Sequence, residues 1–306
     1  LKVYGAERLS DVVAFFNGTA DALQQTIVNT REEFYQAQIN TPYDFSDVKG
    51  QEAVKRAFEV AAAGGHNILI VGSPGCGKSM MAKRIPSILP QLTLGESLET
   101  TQIHSVAGSL ESTTSLISQR PFRSPHHTIS DVALIGGGTT CKPGEISLAH
   151  NGILFLDELP EFSKKALETL RQPLEDRVIT ISRAKYSVTL PCSFMLVASM
   201  NPCPCGYYNH PTHPCTCSPY QRHQYISKIS GPLLDRIDIQ VEVSPVPVEE
   251  LATAPEGEHS ATIRERVVKA REVQTARFKD HPGVYCTAQM TRSMLEKYAR
   301  LEGECL

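Results

Sequence analysis

The sequence predicts an α/β fold built on a parallel sheet. Three short apolar runs, residues 67–71, 153–156 and 194–198, have the length and composition of strands covered on both faces. Helical stretches alternate with them, which is the pattern of strands joined by crossovers. The chain has 306 residues, 41% hydrophobic and 21% charged, enough to bury one good core and a smaller second unit.

Within residues 1–40, Leu9, Val12, Val13 and Phe16 stand at helical spacing, followed by Phe34, Tyr35 and a break at Thr41 and Pro42. We read this stretch as the tail of a preceding domain. A helix is expected over 51–63, ending at Gly64 and Gly65, with the first strand directly after it. Residues 244–260 are rich in Pro, Glu and Ala, and 263–278 read as a helix with Arg and Lys on its outer face, so a linker leads into a helical lid.

No run of about 18 apolar residues is present, and the start at Leu1 has no initiator Met or signal-peptide pattern. The expectation is a cytoplasmic chain, not membrane-bound, and a fragment of a longer protein. Nine cysteines without a secretory signal argue against a disulfide framework and turn attention to metal binding. A formal net charge of −3 supplies no global basic field, so any contact with nucleic acid has to come from local patches or from assembly.

Gly72, Ser73, Pro74, Gly75, Cys76, Gly77, Lys78 and Ser79, followed by Met80, fit G-x-x-x-x-G-K-[ST] between a predicted strand and a predicted helix. Glycines let the backbone curl so that its N–H groups face phosphates. Lys78 places a point charge between the β and γ groups, and the Ser79 hydroxyl can ligate magnesium. ATP and Mg2+ are therefore the expected ligands, against the alternative of a chance glycine-rich turn.

The second run ends in Asp157 and Glu158. Asp157 would hold magnesium, directly or through water, and Glu158 would act as general base; the alternative for Glu158 is a helix cap. The third run leads into Asn201, a polar amide expected beside the first strand and able to orient the attacking water. An Asn after a strand also serves as a simple turn former.

These residues resemble the magnesium-chelatase-like AAA+ ATPases, in particular the ComM/YifB branch. The resemblance is carried by 44–51 (DFSDVKGQ), the 72–79 motif, 120–127 (RPFRSPHH), 142–150 (KPGEISLAH), 151–161 (NGILFLDELPE), 201–206 (NPCPCG) and 231–238 (GPLLDRID). It implies an AAA+ P-loop NTPase three-layer sandwich with parallel sheet, β-hairpin insertions and a partial C-terminal helical lid. The implied domains are a tail of an S5/Lon-like domain over 1–40, the ATPase core over 41–245, and a linker with the start of the lid over 246–306. The second-sensor arginine of the family would lie beyond Leu306. Members resemble hexameric ring motors, and the ComM type is implicated in DNA branch migration, so a homo-hexamer and DNA are the implied partners. A magnesium-chelatase motor for metal insertion into porphyrin and a Lon-like chaperone or protease regulator remain as other readings.

Gly231 and Pro232 set a turn and Leu233 and Leu234 can anchor it, which projects Arg236 from a domain edge toward a neighbour's ATP, as the arginine fingers of the family do. The alternative is a salt bridge to Asp235 or Asp238. The long interval between Lys78 and Asp157 suggests inserted hairpins. Arg120, Arg123, His126 and His127 lie in one, and Arg177, Arg183 and Lys185 flank a predicted hairpin of 178–182 with 186–190. Six copies would make a basic channel, unless these are ordinary solvated charges.

Cys203, Cys205, Cys215 and Cys217 offer four thiolates for zinc in a loop that Pro202, Pro204, Pro211, Pro214 and Pro219 keep irregular. His210 and His213 are substitute ligands, and reduced thiols packed as small apolar groups are the alternative. Cys76, Cys141, Cys192, Cys286 and Cys305 read as structural.

Overall fold

The computed structural model describes residues 3–25, 34, 42–110, 116–138, 141–182, 187–246 and 255–300. The predicted runs form strands of one sheet. In chain order the strands are β1 (Ile68–Gly72), β2 (Phe122–Arg123), β3 (Gly136–Gly137), β4 (Lys142–Pro143), β5 (Ile153–Leu156), β6 (Val178–Ser182), β7 (Ser187–Pro191), β8 (Met195–Met200) and β9 (Ile239–Val243). Five of them pair in parallel in the order β2-β5-β8-β1-β9. The third run thus lies beside the first, with Ile68 opposite Val197 and Val71 opposite Met200. β1 has β8 on one side and β9 on the other, so the chain leaves it at a topological switch point, where ligands of open α/β sheets bind.

Alternation along the strands divides the core into two layers. Ile68, Ile70, Ile153, Phe155 and Val197 pack with Phe58, Met81 and Ile85 in one cluster; Leu69, Leu154, Leu156, Leu196 and Ala198 pack with Leu134, Ile146, Leu167 and Leu233 in the other. Odd and even positions point to opposite faces, so helices cover both faces of the sheet and the architecture is a three-layer sandwich. Helix Glu52–Gly64 covers the first face through Val54, Phe58, Ala61 and Ala62.

Helix Ser260–Phe278 starts three residues before the expected position and lies on Glu52–Gly64, adding Ile263 and Val267 to the same cluster. The early start has a polar cause: the buried Ser260 hydroxyl accepts from the Phe45 N–H at 2.8 Å and shares a hydrogen bond with Ser87 at 2.7 Å. Arg266 and Arg271 are not free outward charges. Arg266 Nε donates to Glu59 at 2.6 Å, and Arg271 Nη2 to the Ala62 carbonyl at 3.0 Å. The chain separates into two compact units, residues 1–40 and 41–306; in the first, Leu9–Phe16 is helical as its spacing predicts. Among the described residues, no helix is long and apolar enough to cross a membrane.

The insertions differ from the basic channel that their charges suggest. Arg120 is largely buried; it donates to the carbonyls of Pro90 at 2.6 Å and Asn151 at 2.7 Å and bridges the Glu96 carboxylate at 3.2 Å. Glu96 also closes the capping box of helix Leu94–Ala107 with Thr93. Arg123 binds both Glu145 oxygens, at 2.6 and 2.7 Å. Arg177 donates to the Ser193 hydroxyl at 3.1 Å. A partly buried guanidinium committed to a bidentate carboxylate is costly to release, so Arg120 and Arg123 are struts that hold an insertion to the sheet. β6 and β7 do pair antiparallel as predicted, while Arg183 and Lys185 lie outside the described residues.

Gly152 stands where β2 meets β5, and a Cβ on it would lie 2.1 Å from the Pro121 carbonyl oxygen. That same oxygen accepts the Ile153 N–H at 2.8 Å. Gly152→Ala is expected to lower stability by about 1–3 kcal/mol or more through overpacking against backbone, read as a shifted urea midpoint at unchanged m-value.

Candidate functional site

Three adjacent strands end at one rim of the sheet, and their carboxyl ends carry the predicted residues. β1 runs into the loop of Ser73, Pro74, Gly75, Cys76 and Gly77, and helix Lys78–Ala82 follows, with Ser79 and Met80 in its first turn. Gly75 (φ +81) and Gly77 (φ +87) take left-handed conformations that favour glycine, and a Cβ on Gly75 would meet nothing within 4 Å. Asp157 and Glu158 follow β5, and Asn201 follows β8.

The side chains converge. Lys78 is buried, and its ammonium group donates to the carbonyls of Gly72 at 2.7 Å and Ser73 at 2.9 Å and to Asn201 Oδ1 at 3.1 Å. Asn201 is therefore more than a turn former: it touches the one cation of the loop. The Ser79 hydroxyl donates to Asp157 Oδ2 at 2.6 Å. Asp157 Oδ1 accepts from the Glu158 N–H at 3.1 Å and from the Ser199 hydroxyl. Both carboxylate oxygens are thus oriented before any ligand arrives, which is the preorganisation that charge binding needs.

Ser199 is a positioning residue that sequence reasoning passed over. It is fully buried and is the polar interruption of the otherwise apolar β8, two residues before Asn201. That interruption was the available signal.

Glu158 has no capping hydrogen bond, which removes the cap reading. Its backbone is left-handed (φ +55), a conformation uncommon for a residue with a side chain and found preferentially at functional sites. Its half-exposed carboxylate lies 3.4 Å from His127 Nδ1, and the His127 ring is paired with His126 at 4.1 Å between centroids. His127 of the insertion is therefore aimed at Glu158, while His126 Nδ1 pairs with the Thr128 hydroxyl at 2.9 Å.

The residues fit a nucleotide and its magnesium. Ser73 Oγ is buried without a hydrogen-bond partner in the loop, an orphan that bound phosphate or its water would satisfy. An open glycine cradle, a buried ammonium and a Ser–Asp pair are the donor set for a magnesium–triphosphate.

Arg236 is far from this rim. It precedes β9, its carbonyl accepts from Asn67 Nδ2 at 2.8 Å, and Asn67 precedes β1, so both lie at the amino ends of the strands. The length of β1, about 16 Å, separates them from the loop. Its ion-pair partner is Glu175, with Nε donating at 2.8 Å, and not Asp235 or Asp238 as the salt-bridge reading had it; Asp238 instead accepts from the Asn67 N–H at 3.1 Å.

Directly after Asn201, the sulfurs of Cys203, Cys205, Cys215 and Cys217 all lie within 4.8 Å of one another. Cys203 is 3.3 Å from Cys205 and 3.7 Å from Cys215, and Cys205 is 3.6 Å from Cys215. Tetrahedral coordination at a metal–sulfur distance near 2.3 Å separates sulfurs by about 3.8 Å, so the cluster has the dimensions of a four-thiolate site. The Tyr207 N–H donates to Cys205 and brings its thiol down to about 5, whereas burial pushes the Cys203 thiol up to about 11. His210 Nδ1 instead accepts from the N–H groups of Thr212 at 3.2 Å and His213 at 3.0 Å, and neither histidine joins the sulfurs.

Comparison with known proteins places this geometry. Residues 44–251 match the family described as magnesium chelatase, subunit ChlI, and residues 257–306 match its C-terminal family. The chain is similar to competence protein ComM of Haemophilus influenzae, 47% identical over 90% of this chain and 53% of that protein. It is 50% identical to the uncharacterized protein YifB of Escherichia coli over 77% of this chain and 46% of that one. A more distant similarity, 28% identity over 48% of this chain and 28% of the relative, links it to Lon protease 2 of Bacillus subtilis. The chain spans about half the length of the ComM and YifB relatives it matches.

Proposed function

The chain belongs to the magnesium chelatase subunit ChlI family, and from that premise we propose that it is the ATP-hydrolysing module of a homo-hexameric ring motor acting on DNA. The observation that carries the ATPase part is the meeting of Lys78, Ser79, Asp157 and Asn201 at the ends of three neighbouring strands. Lys78 would exchange its two carbonyl partners for phosphate oxygens, and Ser79 with Asp157 would hold magnesium. When bound, that ion neutralises charge on the phosphates. Glu158 accepts the proton of the attacking water, and Asn201, already on Lys78, orients that water.

The DNA part rests on the similarity to a competence protein and to the ComM/YifB branch. The internal pairs of Arg120 and Arg123 count against them as its carriers, and the β6–β7 hairpin is the element we assign to it. Lys78→Ala is expected to abolish nucleotide binding, and Glu158→Gln to keep binding while lowering kcat by about 10²-fold or more. Branched or single-stranded DNA should stimulate the wild type, with binding that weakens as salt rises. Nucleotide affinity equal in Lys78→Ala and wild type would sink the ATPase reading. Hydrolysis that ignores DNA but responds to a porphyrin-binding partner would favour the chelatase reading.

Arg236 is proposed to act on the ATP of a neighbouring subunit. At the opposite end of β1 it has no reach to its own phosphate loop, and its exposed pair with Glu175 is worth about 0–1 kcal/mol, so the guanidinium is readily released. Arg236→Ala and Lys78→Ala subunits, each inactive, should recover hydrolysis when mixed. Mixed rings with no recovery would exclude action in trans.

The cysteine cluster is proposed to bind zinc. Its sulfur spacing supports this, and the prolines around it leave the loop little other core. Elemental analysis of protein purified without chelator should give one zinc per chain; less than half would reject the assignment.

A further inference from the structure

The cysteine loop does not hang free beside the nucleotide site. It leaves β8 through Asn201, the acceptor of the Lys78 ammonium group, and it returns against the phosphate loop at Gly206. Gly206 is buried with φ +86, and its N–H donates to the Cys203 carbonyl at 3.0 Å. A Cβ built on it would stand 2.6 Å from Pro74 Cδ, 2.7 Å from Pro74 Cγ and 3.9 Å from Asn201 Cγ. The glycine therefore seats the Pro74 ring directly on its own backbone. This contact joins two glycine-dependent loops from different strands.

Gly206 is tied to the sulfur cluster through Cys203, whose carbonyl accepts its N–H. The Cys205 N–H donates to Cys217 Sγ at 3.3 Å, the Cys217 N–H to Cys215 Sγ at 3.4 Å, and Arg222 Nη1 to the Cys217 carbonyl at 2.8 Å. Of the four cysteines only Cys203 is buried. The sulfurs thus cluster one residue from the glycine that carries Pro74.

We propose that the four-thiolate loop is a brace for the phosphate loop, so that its metal occupancy sets nucleotide affinity. Gly206 is the positioning residue that transmits it, acting through Pro74 on the Ser73–Gly77 turn. Asn201 at the root of the loop transmits the same constraint to Lys78. The metal half of this inference rests on the zinc assignment above; the mechanical half rests on Gly206 and Pro74 alone.

The test uses full-length protein and a fluorescent ATP analogue, with zinc content and circular dichroism measured on every sample. Stripping zinc with a chelator should raise the Kd about tenfold while the far-ultraviolet spectrum is kept, and added zinc should restore it. Gly206→Ala should retain one zinc per chain yet raise the Kd by about the same factor, since both left-handed strain and the close contact with Pro74 act on the phosphate loop. Gly206→Ala with Pro74→Ala should recover part of that loss relative to Pro74→Ala alone, because the ring that the new Cβ strikes is gone. A merely structural glycine would show no such rescue. An unchanged Kd in Gly206→Ala, or a double variant as weak as additivity predicts, overturns the brace. An unchanged Kd on zinc removal from protein that held zinc overturns the metal control, and protein purified with no zinc rejects the zinc assignment itself. If Gly206→Ala does not fold, the strip-and-restore experiment on the wild type decides.

Discussion

The pairing of β8 between β1 and β5 is the constraint on which the site depends. Ile68 opposite Val197 and Phe155 opposite Val197 set three strands in one register, and that register alone decides that Gly72, Asp157 and Asn201 finish at the same rim. A slip of one residue would turn Ser199 away from Asp157 and exchange the two core layers, because side chains alternate between faces. The apolar alternation that builds the sandwich is therefore also what aims the polar residues. Ser199 makes the link concrete, being a buried strand residue in the core lattice and a donor to the acid of the site.

Buried and partly buried charges do structural work away from that rim. Arg120 ties Glu96, Pro90 and Asn151 together, so the start of helix Leu94–Ala107, the segment before it and the turn into β5 share one guanidinium. Burial raises the Glu96 carboxyl, yet the charge of Arg120 and the Thr93 N–H outweigh it and hold the group below its usual value. Such a network is costly to leave half made. It explains how a long insertion keeps a definite position, and how His127, a few residues after Arg123, comes to face Glu158.

The two ends of β1 differ in chemistry. One end of β1 carries the phosphate loop and the other carries Arg236, held by an exposed, weak pair with Glu175. The cysteine loop adds a third element, attached to the rim through Asn201 and Gly206 and dependent on its own sulfur cluster for shape.

By itself the sequence determined what local spacing and chemistry encode. The three apolar runs appear as strands within one or two residues of their expected ends, the glycine-rich loop sits between strand and helix, and Asp157 follows an apolar strand, because each of these depends on neighbours a few positions away. The parallel sheet and the hairpin of β6 and β7 were legible for the same reason. Only the tertiary structure decided which distant partner each charge meets: Arg120 finds Glu96, Arg236 finds Glu175 rather than an adjacent aspartate, Ser199 finds Asp157, and Gly206 finds Pro74. These pairs span from 24 to more than 100 residues, and no periodicity carries their identity. They follow from strand order and register, which bring side chains together only after the apolar layers have closed.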